Sequence, residues 1–179
     1  MSLQLLALCG SQRARSMSAG LLRACRDLAP DGVAIHLFEH HLDFPLFSPE
    51  RTEIPAGVLA LQEAITAADA LLIASPEYAH GVTGTIKNTL DWVVNHAPFA
   101  GKPVAVLNPS YQSFHADEAL KETLRTMSAD LVLDACLRIP VIGSRVEPDR
   151  IASEPRFAAP ITAALRALVA HIGRANNSV

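Results

Sequence analysis

A five-stranded parallel sheet in the doubly wound order 2-1-3-4-5, covered by helices on both faces, is the α/β architecture that this sequence predicts. Three observations carry it. Short apolar runs alternate with amphipathic segments of helical period, the pattern of parallel strands joined by crossover helices. The strands read as continuous apolar runs rather than as alternating ones, as strands buried on both faces do. Five such pairs fit within 179 residues, a length that suits one domain.

The first run, LQLLALC at 3–9, stops at Gly10. Residues 10–18, GSQRARSMS, then bring a glycine, two arginines and three serines ahead of a helix whose apolar face carries Leu21, Leu22, Cys25 and Leu28. Hydroxyls and backbone N–H groups at a helix N-terminus wrap a phosphate well, and an arginine adds a fork of donors. Helix capping by Ser16 or Ser18 accounts for the same residues, and the two readings stand side by side. The turn is neither G-x-x-x-x-G-K-[ST] nor G-x-G-x-x-G, which argues against an ATPase, a GTPase or a nicotinamide-binding Rossmann domain.

Pro30-Asp31-Gly32 makes a turn into a second strand at 33–38. The connection at 39–55 is long for a compact domain, a length usually tied to function, and carries Phe44, Pro45, Leu46 and Phe47 at its middle. His40 and His41 are adjacent but have no carboxylate or cysteine at ligand spacing, so no metal site is assigned. Val58, Leu61, Ile65 and Ala68 set a helix from 56 to about 67, and Asp69 opens a third strand. Residues 75–92, SPEYAHGVTGTIKNTLDW, break at Pro76 and restart as a helix. In a sheet of this order ligands bind outside the carboxyl ends of strands one and three, where the order reverses. The turn after strand one and the loop after strand three therefore face one crevice.

A turn at 98–103 leads to a fourth strand at 104–107, a polar loop at 108–115 and a helix through about 127. A fifth strand at 131–139 and a closing helix at 157–172, with Ile161, Leu165, Leu168 and Ile172 on one face, complete a single domain over 1–174. Residues 175–179 read as a disordered tail.

Half of the residues are hydrophobic, 18% are charged, and the net charge is −3. That balance is globular and argues against nucleic acid or an anionic membrane as partner. No apolar run is long enough to span a bilayer and the N-terminus does not read as a signal peptide, so a cytoplasmic location is expected. Cys9, Cys25 and Cys136 are an odd, scattered set that fits reduced thiols in a core. Ser11, Ser75 and Ser110 lack the G-x-S-x-G context of a hydrolase.

SPEY-x-H-x-x-x-G-x-x-KN-x-x-DW at 75–92, together with GS-x-R-x-x-S at 10–16, resembles the NAD(P)H-dependent FMN reductase family. That family is flavodoxin-like in fold and includes flavin, quinone, azo and chromate reductases. The likeness is close from strand one to the helix after strand three. It implies FMN as cofactor, NADPH or NADH as hydride donor, a small acceptor such as a quinone or flavin, and a homodimer or homotetramer. Ser11, Arg13, Ser16 and Ser18 then correspond to the flavin phosphate site. Pro76, Glu77, Tyr78 and Ala79 correspond to the loop whose backbone lies along the isoalloxazine ring. Ser110 opens a loop, through His115, that flanks the pyrimidine end.

The chain departs from the family pattern where Ser18 and Ala79 replace common asparagines, where Thr83 replaces a frequent proline, and where residues 110–115 replace a glycine-rich loop. The resemblance suggests that Glu77 pairs across a subunit interface, a solvated loop carboxylate being the alternative. Phe44, Leu46 and Phe47 are expected at the same interface. Lys87 and Asp91 read as a surface pair, and Trp92 as a core or subunit contact. His80 and His115 lie on the two ligand loops. No catalytic side chain is named, because the chemistry belongs to flavin N5. Two other classes remain open: an FMN-binding electron carrier, disfavoured by the modest charge, and a flavin-less regulatory or interaction module, suggested by Ser18, Ala79 and the altered third loop.

Overall fold

Strand β1 (Leu3–Cys9) starts the chain and is followed by α1 (Met17–Asp27), β2 (Val33–Phe38), α2 (Ala56–Ala67) and β3 (Ala70–Ala74). A two-stranded ribbon, β4 (Glu77–Tyr78) and β5 (Gly81–Val82), leads into α3 (Gly84–Val93), β6 (Pro103–Asn108) and α4 (Phe114–Thr126). The last elements are β7 (Asp130–Leu131), β8 (Leu137–Arg138) and α5 (Pro155–Asn176). The computed structural model describes residues 2–176. Strands pair in parallel in the order β2-β1-β3-β6, with β7 and β8 on the free edge of β6. This is the flavodoxin-like arrangement, and the switch in direction falls between β1 and β3.

Side chains of a strand alternate between its faces, and here each face has its own helices. Leu5, Ala7, Leu72, Ala74 and Leu107 pack with Leu21, Leu22 and Cys25 of α1 and with Ile161, Leu165 and Leu168 of α5. Leu6, Leu8, Leu71, Ile73, Val104 and Val106 pack on the other face with α2, α3 and α4, through Leu61, Ile65, Ile86, Leu90, Leu120 and Leu124. Each large aliphatic side chain so buried contributes about 1.5–3 kcal/mol of transfer free energy. Among the described residues no helix is long and apolar enough to cross a membrane.

The fifth strand is not continuous over 131–139. Val132 donates its N–H to the Val104 carbonyl at 2.9 Å, the chain lifts through a 3-10 turn at Leu133–Ala135, and pairing resumes at Leu137. The Val106 N–H, facing the gap, donates instead to Cys136 Sγ at 3.4 Å. Asp134 explains the break: a carboxylate in mid-strand would be buried without a partner, and in the turn it is exposed. The closing helix is longer than expected and runs to Asn176, two residues into the stretch read as a tail. Residues 177–179 lie outside the described residues.

The connection after β2 makes a 3-10 turn at His40–Asp43 and then docks on α3. Asn88 accepts the Phe47 N–H at 2.8 Å and donates to the Pro45 carbonyl at 3.1 Å, which also receives Trp92 Nε1–H at 2.8 Å. Phe47 meets the Trp92 ring edge-on at 5.3 Å, and Phe44 packs against the core beneath α2. Two of the three residues expected at a subunit interface are thus used within the chain; Leu46 is 81% exposed. Lys87 and Asp91 form the surface pair expected of their spacing, at 2.5 Å.

Candidate active site

Gly10 joins the first two site loops. Its N–H donates to the Ala74 carbonyl at 2.8 Å, its carbonyl accepts the Thr83 hydroxyl at 2.7 Å, and a Cβ at this position would lie 2.2 Å from Ser75 Oγ. Only glycine permits that approach. Thr83 caps α3 by accepting the Ile86 N–H at 3.4 Å and touches Ser75 Oγ at 3.2 Å. A residue that read as a departure from the family pattern therefore holds the turn after β1 against the loop after β3.

Within the turn, Ser11, Ser16 and Ser18 are buried, at 6%, 4% and 2% exposure. Ser16 is the N-cap of α1 and accepts from Ala19 N–H at 3.3 Å, so the capping reading holds for Ser16 rather than Ser18. Ser11 accepts the Arg13 N–H at 3.4 Å, and the Arg13 side chain is exposed. Arg15 pairs with Glu147 and Arg23 with Asp149 at 2.9 Å, tying α1 to the 3-10 segment Pro148–Ser153. A cavity of about 240 Å³ opens beside the turn, lined by Cys9, Ser11, Arg13, Arg23 and His41 among others.

His41 Nε2–H donates to the Cys9 carbonyl at 2.6 Å, and burial holds its imidazole below the ordinary histidine range. Burial likewise pushes up the thiols of Cys9 and Cys136, and that of Cys25 to about 12, so all three are protonated and unreactive at neutral pH. They are free cysteines. Among the described residues no group of three or more His, Cys, Asp or Glu is placed to hold a metal ion.

The loop after β3 begins at Ser75-Pro76 and turns back through the β4–β5 ribbon. Its two central residues, Ala79 and His80, have φ of +50° and +60°, the backbone that a two-residue type I′ connection demands. Asparagine suits the first of these positions; alanine adopts it against its preference. Glu77 anchors the ribbon. One carboxylate oxygen accepts the Ala116 N–H in the first turn of α4 at 2.8 Å, the other meets His80 Nδ1 at 2.8 Å, and the side chain is 9% exposed. The Ala116 hydrogen bond, helped by His80 and His115, holds the Glu77 carboxyl below the usual glutamate range against the opposing effect of burial. Both oxygens are engaged within this chain, so Glu77 is not the solvated loop carboxylate of the alternative reading.

In the third loop Asn108 accepts the Ser110 N–H at 3.0 Å and donates to the Ser113 carbonyl at 2.8 Å, while Ser110 Oγ accepts the Gln112 N–H at 3.1 Å. The Ser110 hydroxyl thus shapes the loop. Tyr78, Tyr111 and Phe114 expose more than half of their surface. The His80 and His115 rings meet at 4.5 Å with 64° between their planes, Phe114 lies 5.7 Å from His115, and the Arg138 guanidinium sits 5.4 Å from the Phe114 ring centre.

Of the residues singled out in the sequence, Ser11, Arg13, Ser16 and Ser18 gather on the first turn, Pro76, Glu77, Tyr78 and Ala79 on the ribbon, and Ser110 on the third loop. Thr83 was singled out only as a departure from the family pattern, and Ala116 was not singled out. Their contacts cross 73 and 39 residues, and only the N-cap position of Thr83 left a local trace.

The family model described as NADPH-dependent FMN reductase matches residues 3–140. Over 129 residues, 68% of this chain and 69% of the relative, the sequence is 35% identical to an NAD(P)H-dependent FMN reductase of Pseudomonas aeruginosa. It is 34% identical over 113 residues to a quinone reductase of Escherichia coli, with 60% of each chain covered. Among solved structures, FerB of Paracoccus denitrificans, a flavoenzyme NAD(P)H:(acceptor) oxidoreductase, superposes with a TM-score of 0.83 over 96% of this chain and 98% of its own, at 23% identity. That likeness is one of fold.

Proposed function

This chain belongs to the NADPH-dependent FMN reductase family, and on that premise we propose that it is an FMN-dependent oxidoreductase that takes two electrons from NAD(P)H and gives them to a small acceptor, a quinone or a flavin. The observation that carries this reading is the turn after β1. Three buried serines and the N-terminus of α1 cluster there, beside a glycine that leaves no room for a side chain. The donor set fits a phosphate dianion: hydroxyls and N–H groups from Ser11, Ser16 and Ser18, and positive charge from Arg13. Pro76, Glu77, Tyr78 and Ala79 would run along the ring, with Ser110 shaping the loop at its far side. Bound there, FMN supplies a centre that takes up and returns a pair of electrons.

The residues of the chain position and shield. Glu77 fixes the ribbon against α4, so the loop has its shape before any ligand arrives. The exposed rings of Tyr78, Tyr111 and Phe114 suit a flat aromatic acceptor. Leu46, projecting from a connection that Asn88 and Trp92 hold rigid, supports assembly as a homodimer or homotetramer. Three free thiols and use of NAD(P)H support a cytoplasmic setting.

Purified protein mixed with FMN and then with NADPH without oxygen tests the reading through the flavin absorbance. Binding followed by rapid bleaching is expected. Bound flavin that stays oxidised would make the protein a carrier, and failure to bind FMN would leave the fold without its cofactor.

A further inference from the structure

Reduction of a quinone needs more than electrons. In quinone + NAD(P)H + H⁺ → hydroquinone + NAD(P)⁺, the nicotinamide supplies two electrons and one hydrogen. The other hydrogen reaches the second oxygen as a proton. A side chain that presents a proton beside the acceptor speeds that transfer.

Two imidazoles, His80 on the loop after β3 and His115 on the segment after β6, meet at the carboxyl end of the sheet, the side on which ligands of such sheets bind. Glu77 is held in its carboxylate form by the Ala116 N–H, and a carboxylate only accepts. His80 Nδ1, 2.8 Å from Glu77, must therefore carry the hydrogen of that bond. This fixes the tautomer of neutral His80 and turns the basic nitrogen, Nε2, outward. The His80 side chain is 75% exposed, and Nε2 has no hydrogen-bond partner among the described residues. The charged and titratable groups around it are Glu77 on the Nδ1 side, His115 edge-on at 4.5 Å, and Arg138, which lies beyond Phe114.

We propose that His80, oriented by Glu77 and backed by His115, donates the proton that a quinone-class acceptor takes up as it is reduced. This rests on the oxidoreductase reading above. The His80 Nε2–H bond breaks as the hydroquinone O–H bond forms, His80 returns to its neutral Nδ1–H form, and solvent restores the proton. Glu77 is a positioning residue in this scheme.

The test compares two acceptors on the FMN-loaded protein: a benzoquinone, which takes up protons, and hexacyanoferrate(III), which takes one electron and none. His80→Asn is the variant of choice, since asparagine tolerates the left-handed backbone at this position; His115→Gln accompanies it. The ratio of quinone to hexacyanoferrate turnover is expected to fall at least about tenfold in His80→Asn, below the ~100-fold that a positioned general acid can supply because water replaces part of it. Independently of turnover, ¹⁵N spectra of flavin-free protein are expected to place His80 in the Nδ1–H tautomer, and to lose that signature in Glu77→Gln. An unchanged ratio, an equal loss with both acceptors, or an Nε2–H tautomer in the unsubstituted protein would overturn the proposal. Unsubstituted protein that reduces neither acceptor would instead strike at the oxidoreductase reading.

Discussion

The Thr83 hydroxyl donates to the Gly10 carbonyl at 2.7 Å while accepting the Ile86 N–H at 3.4 Å. One side chain thereby caps α3 and fastens the turn after β1 to the loop after β3. Thr83→Val removes both bonds and leaves a buried carbonyl unpaired, which should cost about 2 kcal/mol. Thr83→Ser keeps the oxygen and should cost much less. Urea unfolding checks the stability, and flavin titration should rank the three proteins in the same order.

Alanine at 79 adopts φ of +50° with no side chain to ease it. Ala79→Asn places at that site a residue that tolerates the left-handed region, and should stabilise the fold by about 0.5–1 kcal/mol. Ala79→Val, branched at Cβ, should destabilise it. Equilibrium unfolding at neutral pH decides between these directions and a ribbon that is indifferent to the residue.

Glu77 makes stability depend on pH. Its folded value lies below the ordinary 4.5, so the unfolded chain binds the proton first. Its contribution is present above about pH 4.5 and is lost as pH falls through the lower, folded value. Glu77→Gln cannot ionise, so the stability gap between it and the unsubstituted protein should narrow on acidification within that window. A gap constant from pH 7 to pH 3 would mean that the charge contributes nothing.

The strands and their order were legible because each apolar run ends at a recognisable breaker: β1 at Gly10, β3 at Pro76, β2 in the polar stretch after Phe38. The fifth strand misled because LVLDACLRI is apolar enough to read through, although Asp134 marks where it must leave the sheet. The packing of the 44–47 stretch on α3 was not legible, because nothing local reveals that Asn88 and Trp92, more than 40 residues on, bond to its backbone. The site was legible as three loops but not as a joined structure. The bonds that join it, Thr83 to Gly10 and Glu77 to Ala116, link segments whose meeting depends on the whole sheet.

Asp117 and Lys121, one turn apart on α4, form a buried ion pair. The Asp117 side chain is 1% exposed and Lys121 Nζ lies 2.6 Å from it at 12% exposure, with Asn108 Nδ2 at 3.5 Å. Burial alone would lower the Lys121 ammonium, but its bonds to Asp117 and Glu118 outweigh that and raise it above 10.5. Because the folded value is the higher one, the contribution of Lys121 is intact below about pH 10.5 and is lost as pH rises through the folded value. Lys121→Met leaves the carboxylate buried against a single amide and should cost about 3–5 kcal/mol. Adding Asp117→Asn removes the stranded charge, so the double variant should recover most of that loss. If the double variant is as unstable as Lys121→Met alone, the cost lies in lost packing and not in the unpaired carboxylate.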